Sequence, residues 1–309
     1  MKVRDFGVIL LLGSIWGASY LFIKLGVAVI PPATFVLGRV VIAGLVSLAI
    51  MKARRIPLPN TRAVWATFAV MGLLNGAIPY TLITWGEQVI DSGLAAILIA
   101  AVPIFTVIFA WFFLPEERLT FTKGMGIVLG FLGVAVLIGP DALAGAHNNV
   151  LGDLAVVGAA ASYGAAFVWA RLRLRGVPPM AATTSQMAMA TLWMLPLTLL
   201  VDRPWQLHFA PTPATWVALG SLLTLAVLGT SLAYVLYYWL VAEVGATQAS
   251  LVTYISPFIS LVWGALFLGE HLTLAAFVGF GLILLGLALI NGFAIAVARR
   301  LVARGAHDF

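Results

Sequence analysis

Residues 91–114 read DSGLAAILIAAVPIFTVIFAWFFL, a stretch whose single charged side chain is that of Asp91 at its start. About twenty consecutive apolar residues are needed for a helix to cross the hydrocarbon core of a bilayer. Within lipid, a helix satisfies all of its backbone hydrogen-bonding groups inside one segment, whereas an isolated strand does not. The stretch therefore predicts a membrane-spanning helix.

Nine further apolar stretches of similar length flank this one. The ten predicted spans are residues 6–28, 33–51, 62–86, 91–114, 121–140, 152–172, 180–201, 213–241, 246–268 and 273–297. The composition agrees, because 62% of the residues are hydrophobic and 9% are charged, whereas soluble domains are about half apolar and one quarter charged. The predicted fold class is an all-α membrane protein of ten transmembrane helices joined by short loops.

The basic residues test the number of helices. If the N-terminus lies in the cytoplasm, 14 of the 17 lysines and arginines fall in cytoplasmic segments. Arg203 lies in an external loop, whereas Lys24 and Arg39 fall within predicted spans. This distribution obeys the positive-inside rule and predicts that both termini are cytoplasmic. The formal charge of +6 is scattered between apolar stretches, so nucleic acid is not a predicted partner.

An internal repeat relates the two halves of the chain. The aligned pairs, at offsets of 147 to 154 residues, include Gly17 and Gly164, Pro31 and Pro178, Arg39 and Gln186, Tyr80 and Tyr234, Pro103 and Pro257, and Glu117 and Glu270. Each half holds five spans, and because five is odd the second copy must insert upside down. We therefore expect two inverted repeats, residues 1–145 and 146–309, around a central cavity, as in secondary transporters.

Short motifs run through both halves in a fixed order. They are Trp16-Gly17, Lys24, Arg39, Pro103 and Glu116-Glu117, then Leu151-Gly152-Asp153-Leu154, Gln186, Tyr238-Trp239-Leu240, Gly245-Ala246, Pro257 and Gly269-Glu270. In order and spacing they resemble the drug/metabolite transporter superfamily, specifically its EamA-type ten-helix exporters. The resemblance implies a carrier of the bacterial inner membrane that exports amino acids, other metabolites or drugs. Within the superfamily the chain looks closest to the aromatic amino-acid exporters.

Polar and aromatic side chains within the spans are the candidates for lining the cavity. They are Trp16, Lys24, Asn75, Tyr80, Tyr163, Thr230, Tyr234, Tyr238, Tyr254 and Trp263. Aromatic walls with a few amides and hydroxyls suit an amphipathic solute such as a hydrophobic amino acid. Packing in the core is the alternative for any single aromatic residue. Lys24 has two interpretations, since it either contacts substrate or extends its ammonium group to the interface.

Three further residues are candidates for a hinge or gate: Arg39, Pro103 and Pro257. A proline within a helix removes a backbone donor and bends the helix, either as a moving part or as a static kink. A charge in the bilayer needs a partner or a role. Arg39 therefore either fastens neighbouring helices by bonding backbone carbonyls, or acts in gating or attracts a carboxylate. Gln186 is predicted to form a hydrogen bond between helices.

Chemistry other than transport lacks suitable residues. The chain has no cysteine and no P-loop pattern, and its four histidines lie outside the spans. No Asp or Glu is placed at mid-span, and Glu116, Glu117 and Glu270 are interpreted as markers of helix ends. No enzyme, metal or cofactor is therefore predicted.

The sequence instead predicts a secondary exporter of small organic metabolites that works by alternating access in contact with membrane lipids. It leaves the oligomeric state open, with a monomer as one option. Amino acids, including aromatic and hydrophobic ones, are the expected solutes. Broad efflux of drugs and lipophilic cations is the alternative. A membrane-embedded enzyme is a further alternative, which would need catalytic residues that the spans lack.

Overall fold

The computed structural model describes residues 3–145, 147–174, 176–244, 252–271 and 273–290. Within these ranges the secondary structure is helical apart from short connections. Ten apolar helical elements follow one another: α1 (Val3–Val27), α2 (Pro32–Ala53), α3 (Arg62–Gly86), α4 (Ser92–Phe113), α5 (Phe121–Leu143), α6 (His147–Arg173), α7 (Pro179–Val201), α8 (Pro213–Ala226, Val227–Leu232 and Ala233–Val244), α9 (Val252–Leu268) and α10 (Leu274–Ile290).

Eight of these helices, α1 to α8, are long and apolar enough to cross a membrane, and α9 and α10 are shorter apolar helices. The predicted all-helical fold with ten spans is confirmed. Residues 246–251 and 291–297 of the last two predicted spans lie outside the described residues. Because the connections are short, successive helices run antiparallel. We call the end of the bundle opposite the start of α1 the distal end.

Proline and threonine residues in the connections set where helices begin. Pro32, Pro179 and Pro213 are the first residues of α2, α7 and α8, a position where the missing N–H of proline would have no helical partner anyway. The hydroxyl of Thr61 accepts a hydrogen bond from the backbone N–H of Val64 and caps α3. These signals explain why the breaks between spans were readable from the sequence.

Helices that align between the two halves pack against one another: α2 on α7, α4 on α9, and α5 on α10. The remaining large contacts also correspond. Helix α1 packs on α8 and α9, and its aligned partner α6 packs on α3 and α4. Exchanging the two halves therefore leaves this pattern of helix contacts unchanged.

The contact between α5 and α10 is a seam of glycines. A Cβ atom added at Gly126 would lie 2.6 Å from the carbonyl oxygen of Gly286, and one at Gly133 would lie 2.6 Å from that of Gly279. Glycines at both sites let the two backbones approach to a distance that any side chain would prevent.

Helix α4 is interrupted at Ala100 and Ala101, between its segments Ser92–Ile99 and Val102–Phe113. The first segment packs on α9, α6 and α1, whereas the second packs mainly on α6 and also contacts α10 and α5. Pro103 lies at the second position of the second segment, and it lacks the N–H that would bond the carbonyl of Ile99. Its aligned partner Pro257 lies inside an unbroken segment of α9.

Candidate functional site

Two π-helical segments place polar side chains near the middle of the bundle. They are Leu73–Ala77 in α3 and Val227–Leu232 in α8, which begin at positions aligned between the repeats. The first contains Asn75 and the second contains Thr230, both buried. Single π-helical turns inside α-helices are frequent at functional sites. The two segments therefore mark one candidate site.

Asn75 is the centre of a hydrogen-bonded group. Its Nδ2 atom donates to Oε1 of Gln186 at 3.1 Å and to the hydroxyl of Tyr234 at 3.3 Å. That hydroxyl lies 3.5 Å from the hydroxyl of Tyr80. The bond from Asn75 to Gln186 joins α3 to α7, as predicted for Gln186. The Nε2 atom of Gln186 is buried and has no hydrogen-bond partner among the described residues.

Arg39 extends this group from α2. Its Nε atom donates to the hydroxyl of Thr230 at 3.0 Å, and its guanidinium carbon lies 3.8 Å from the centre of the Tyr80 ring. Arg39 thus fastens α2 to α3 and α8 through a hydroxyl and an aromatic ring rather than through backbone carbonyls. We refer to Arg39, Asn75, Tyr80, Gln186, Thr230 and Tyr234 as the central polar cluster.

Arg39 forms no ion pair among the described residues, although the buried carboxyl group of Glu87 lies within electrostatic range. The Arg39 side chain is only 7% exposed, and no carboxylate lies within 4 Å of it in the described part of the chain. A buried cation without an anion is costly, and the ring of Tyr80 offsets only part of this cost. The site is therefore positively charged.

Aromatic side chains adjoin the central polar cluster. The ring of Trp16 lies edge-on to Tyr234, with 6.3 Å between ring centres, and tilted against Tyr237 at 5.5 Å. Tyr163 packs in the same hydrophobic cluster as Tyr80 and Tyr234. The structure thus brings four predicted aromatic residues together: Trp16, Tyr80, Tyr163 and Tyr234.

The remaining predicted aromatic residues lie elsewhere or are not described. Tyr254 packs against a second hydrophobic cluster, which Tyr163 also contacts. Trp263 stacks at 4.9 Å on Phe267, an exposed residue, and makes no ring contact with the cluster. The side chain of Tyr238 lies outside the described residues.

Lys24 lies at the distal end rather than in the central polar cluster. Its Nζ atom donates to the backbone carbonyls of Glu87 and Ile90, both at 2.7 Å. These carbonyls follow the last turn of α3, where a cation is favoured by unpaired carbonyl groups and by the helix dipole. Lys24 therefore joins α1 to the end of α3.

Two carboxylates bind helix starts at the same end. Glu270, after α9, accepts hydrogen bonds from the backbone N–H groups of Ser92 and Gly93 at 2.7 and 3.0 Å, and from the Ser92 hydroxyl at 3.0 Å. Asp202, after α7, accepts from the backbone N–H and the hydroxyl of Thr34 at 2.6 and 2.9 Å. Together with Lys24, these contacts join α1 to α3, α4 to α9 and α2 to α7 at the distal end.

Sequence reasoning missed this role of Glu270, and it also missed three buried carboxylates, those of Asp5, Glu87 and Asp153. Glu87 comes one residue after the predicted span and was therefore assigned no role from the sequence. The sequence held one signal for a buried group at this position, because Lys24 lies in the last turn of the neighbouring helix α1, at the same depth as Glu87.

At the other end of the bundle, Glu117 receives hydrogen bonds from Arg171 at 2.8 Å and Lys123 at 3.0 Å. These contacts lower the pKa of Glu117, first through Arg171 and then through Lys123. Glu117 and Glu270 align between the repeats, yet Glu117 binds cations whereas Glu270 binds a helix start. The aligned glutamates therefore make different contacts at the two ends of the bundle.

Comparisons with known proteins agree along the whole chain. The family model described as the EamA-like transporter family matches residues 6–139 and 150–292. The uncharacterised transporter YvbV of Bacillus subtilis is 29% identical over 94% of this chain and 92% of its own length. The probable terminal-alkyne amino-acid exporter of Streptantibioticus cattleyicolor is 29% identical over 89% of each chain. One crystal structure has a TM-score of 0.65 at 21% identity and covers 97% of this chain and 99% of its own, a likeness of fold.

Proposed function

Because the chain belongs to the EamA-like transporter family, we propose that it exports small organic metabolites, chiefly amino acids with hydrophobic or aromatic side chains. The chain is thus a multi-pass membrane transporter of small molecules rather than an enzyme, as its sequence predicted. The substrate class and the direction of transport are the new elements of the proposal.

The uncompensated guanidinium of Arg39 carries this proposal. A carboxylate binds a guanidinium through charge-assisted hydrogen bonds, which are about twice as strong as neutral ones. The amide of Gln186 lies in the same cluster and has a free donor at Nε2. A solute with a carboxylate would therefore supply the anion that the central polar cluster lacks.

The aromatic residues support a solute with an apolar part. Trp16, Tyr234 and Tyr237 form a continuous aromatic surface beside the charged group. Apolar and aromatic side chains pack favourably on such a surface. The relative from Streptantibioticus cattleyicolor, whose name describes an amino-acid exporter, fits a solute with both a carboxylate and an apolar side chain.

We propose alternating access between the two inverted repeats, residues 1–145 and 146–309. Support comes from the helix contacts, which keep the same pattern when the halves are exchanged. Movement at the interruption of α4, next to Pro103, would separate its first segment from α1 and α9 and open the distal end. Pro257 and Arg39 are the other proposed hinge or gate residues, and the protein is proposed to act as a monomer.

The location we propose is the bacterial inner membrane, with both termini in the cytoplasm. The asymmetry of the basic residues supports it, because 14 of 17 fall on one side of a ten-helix arrangement. On this orientation the distal end faces outward, and the closed distal contacts describe a carrier shut to the outside.

Counterflow into proteoliposomes tests the substrate class. Labelled phenylalanine and leucine should exchange, and Arg39→Gln should lower that exchange at least tenfold, because a charge-assisted bond contributes about 1.5–3 kcal/mol. Asn75→Ala and Tyr234→Ala should also reduce it without loss of membrane insertion. The matched control is Arg203→Gln, whose side chain lies exposed after α7.

Absence of phenylalanine and leucine exchange in the unmutated protein contradicts amino-acid transport, and exchange that survives Arg39→Gln unchanged contradicts the role of Arg39 as the carboxylate partner. Broad efflux of lipophilic cations is the alternative, and it predicts the opposite response. Removing the positive charge of Arg39 would then leave uptake of a cationic dye equal or faster.

A further inference from the structure

Glu87 has a buried carboxyl group that nothing in the proposed transport site uses. It follows the last residue of α3, and its side chain is fully buried. Neither Oε1 nor Oε2 has a hydrogen-bond partner among the described residues. Most buried polar groups in proteins are hydrogen-bonded, so an unpartnered carboxyl group requires an explanation.

An ionised carboxylate is disfavoured in this position. Moving it from water to an apolar site costs several kcal/mol when no donor or cation compensates. The nearest cation that is fixed in place, the Lys24 ammonium group, donates to the backbone carbonyls of Glu87 and Ile90. It makes no ion pair with the Glu87 carboxylate within 4 Å in the described part of the chain. Protonation removes the charge and hence most of the cost.

The other ionisable groups around Glu87 come from every helix packed on this end of α3. Lys24 and Tyr20 lie on α1, Arg39 lies on α2, Asp153 lies near the start of α6, and Glu270 follows α9. Glu270 already holds three hydrogen-bond donors, which stabilise its ionised form. Its negative charge opposes a further charge on Glu87, whereas Lys24 and Arg39 favour one.

We propose that the Glu87 carboxyl group is a proton-binding site whose occupancy is tied to closure of the distal end. The closed conformation holds the proton on a dry carboxyl group. Opening separates Lys24 from the end of α3, admits water, and releases the proton to the distal solution. Closing takes up one proton from that solution. The inference does not depend on which solute is carried.

This coupling has a defined sign and size. Because the open conformation binds one proton fewer, raising the pH favours opening, by up to about tenfold in the open-to-closed ratio per pH unit. Glutamine at position 87 cannot ionise and imitates the protonated form. Glu87→Gln should therefore hold the distal end closed at every pH.

Cysteine labelling tests the proposal without any substrate, since the natural chain has no cysteine. Ala95→Cys places a thiol on the distal segment of α4, where Ala95 is fully buried. Its rate of reaction with a membrane-impermeant maleimide in proteoliposomes is measured from about pH 5 to pH 8. The rate is divided by that of Ala28→Cys, an exposed position after α1, which cancels the pH dependence of the thiol.

With Glu87 present, this ratio should rise with pH, and it should be low and flat in the Glu87→Gln background. The exposed carboxyl variant Glu116→Gln is the matched control and should keep the rise. An equal rise in Glu87→Gln overturns the proposal.

Infrared spectroscopy of the unlabelled protein covers the case in which Glu87→Gln does not fold. A protonated carboxyl band should be present at about pH 6 and should shift in frequency in Glu87→Asp. Absence of the band, or a band that Glu87→Asp leaves unchanged, overturns the proposal.

Discussion

Replacing Glu270 with glutamine is expected to loosen the distal end. The carboxylate accepts three hydrogen bonds from the first turn of α4, two of them from backbone N–H groups of Ser92 and Gly93. Glutamine removes the negative charge and turns an NH2 group toward donors, so only one acceptor oxygen remains. It also loses the attraction to the positive end of the helix dipole.

The size of the effect follows from these contacts. Hydrogen bonds to a charged group contribute about 1.5–3 kcal/mol each when one partner is removed, but water replaces part of this in the open conformation. We therefore expect Glu270→Gln to destabilise the closed conformation relative to the open one by about 2 kcal/mol. The open-to-closed ratio should therefore rise about 30-fold.

The measurement is again the reaction rate of Ala95→Cys with a maleimide, at one fixed pH. Glu116→Gln is the matched control, because Glu116 is largely exposed and lies 3.6 Å from Arg171. Exposed ion pairs contribute little, so its rate should stay within about twofold of the parent. If Glu270→Gln inserts normally and reacts no faster than this control, the capping contact does not hold the distal end closed.

Two further predictions concern the scaffold. Gly133→Ala should lower the stability of the purified protein by about 1–3 kcal/mol, because the added Cβ would lie 2.6 Å from the Gly279 carbonyl oxygen. The measurement is the midpoint of thermal unfolding in detergent, and the control Gly124→Ala, whose Cβ would have no neighbour within 4 Å, should leave it unchanged. Equal midpoints for the two variants would refute the close packing of α5 on α10. Single cysteines at Leu58 and Phe209, both exposed, should react with impermeant reagents from opposite sides of the membrane, whereas labelling from one side would rule out inverted repeats.

The fold was largely predictable because its signals are local. Apolar length gave the ten spans, and Pro32, Pro179 and Pro213 gave the starts of three helices. The repeat alignment placed Tyr80 opposite Tyr234, and the structure puts their hydroxyls 3.5 Å apart.

The features that the sequence did not predict depend on contacts between segments that are distant in the chain. The π-helical turns in α3 and α8 have no composition that distinguishes them from the α-helix around them. Burial of Glu87 is decided by α1 and α6 packing over the end of α3, which span lengths do not reveal. Pro103 and Pro257 align in sequence, yet of these two positions only that of Pro103 adjoins an interruption of its helix.

The paired π-helical turns also fix the rotational phase of the two helices that contain them. Successive residues of an α-helix are about 100° apart around its axis, and a π-helical turn holds one residue more than an α-helical one. Everything after Leu73–Ala77 in α3 and after Val227–Leu232 in α8 is therefore rotated relative to a continuous α-helix. Tyr80 and Tyr234 both come after these turns, so the 3.5 Å approach of their hydroxyls depends on helix winding as well as on residue type.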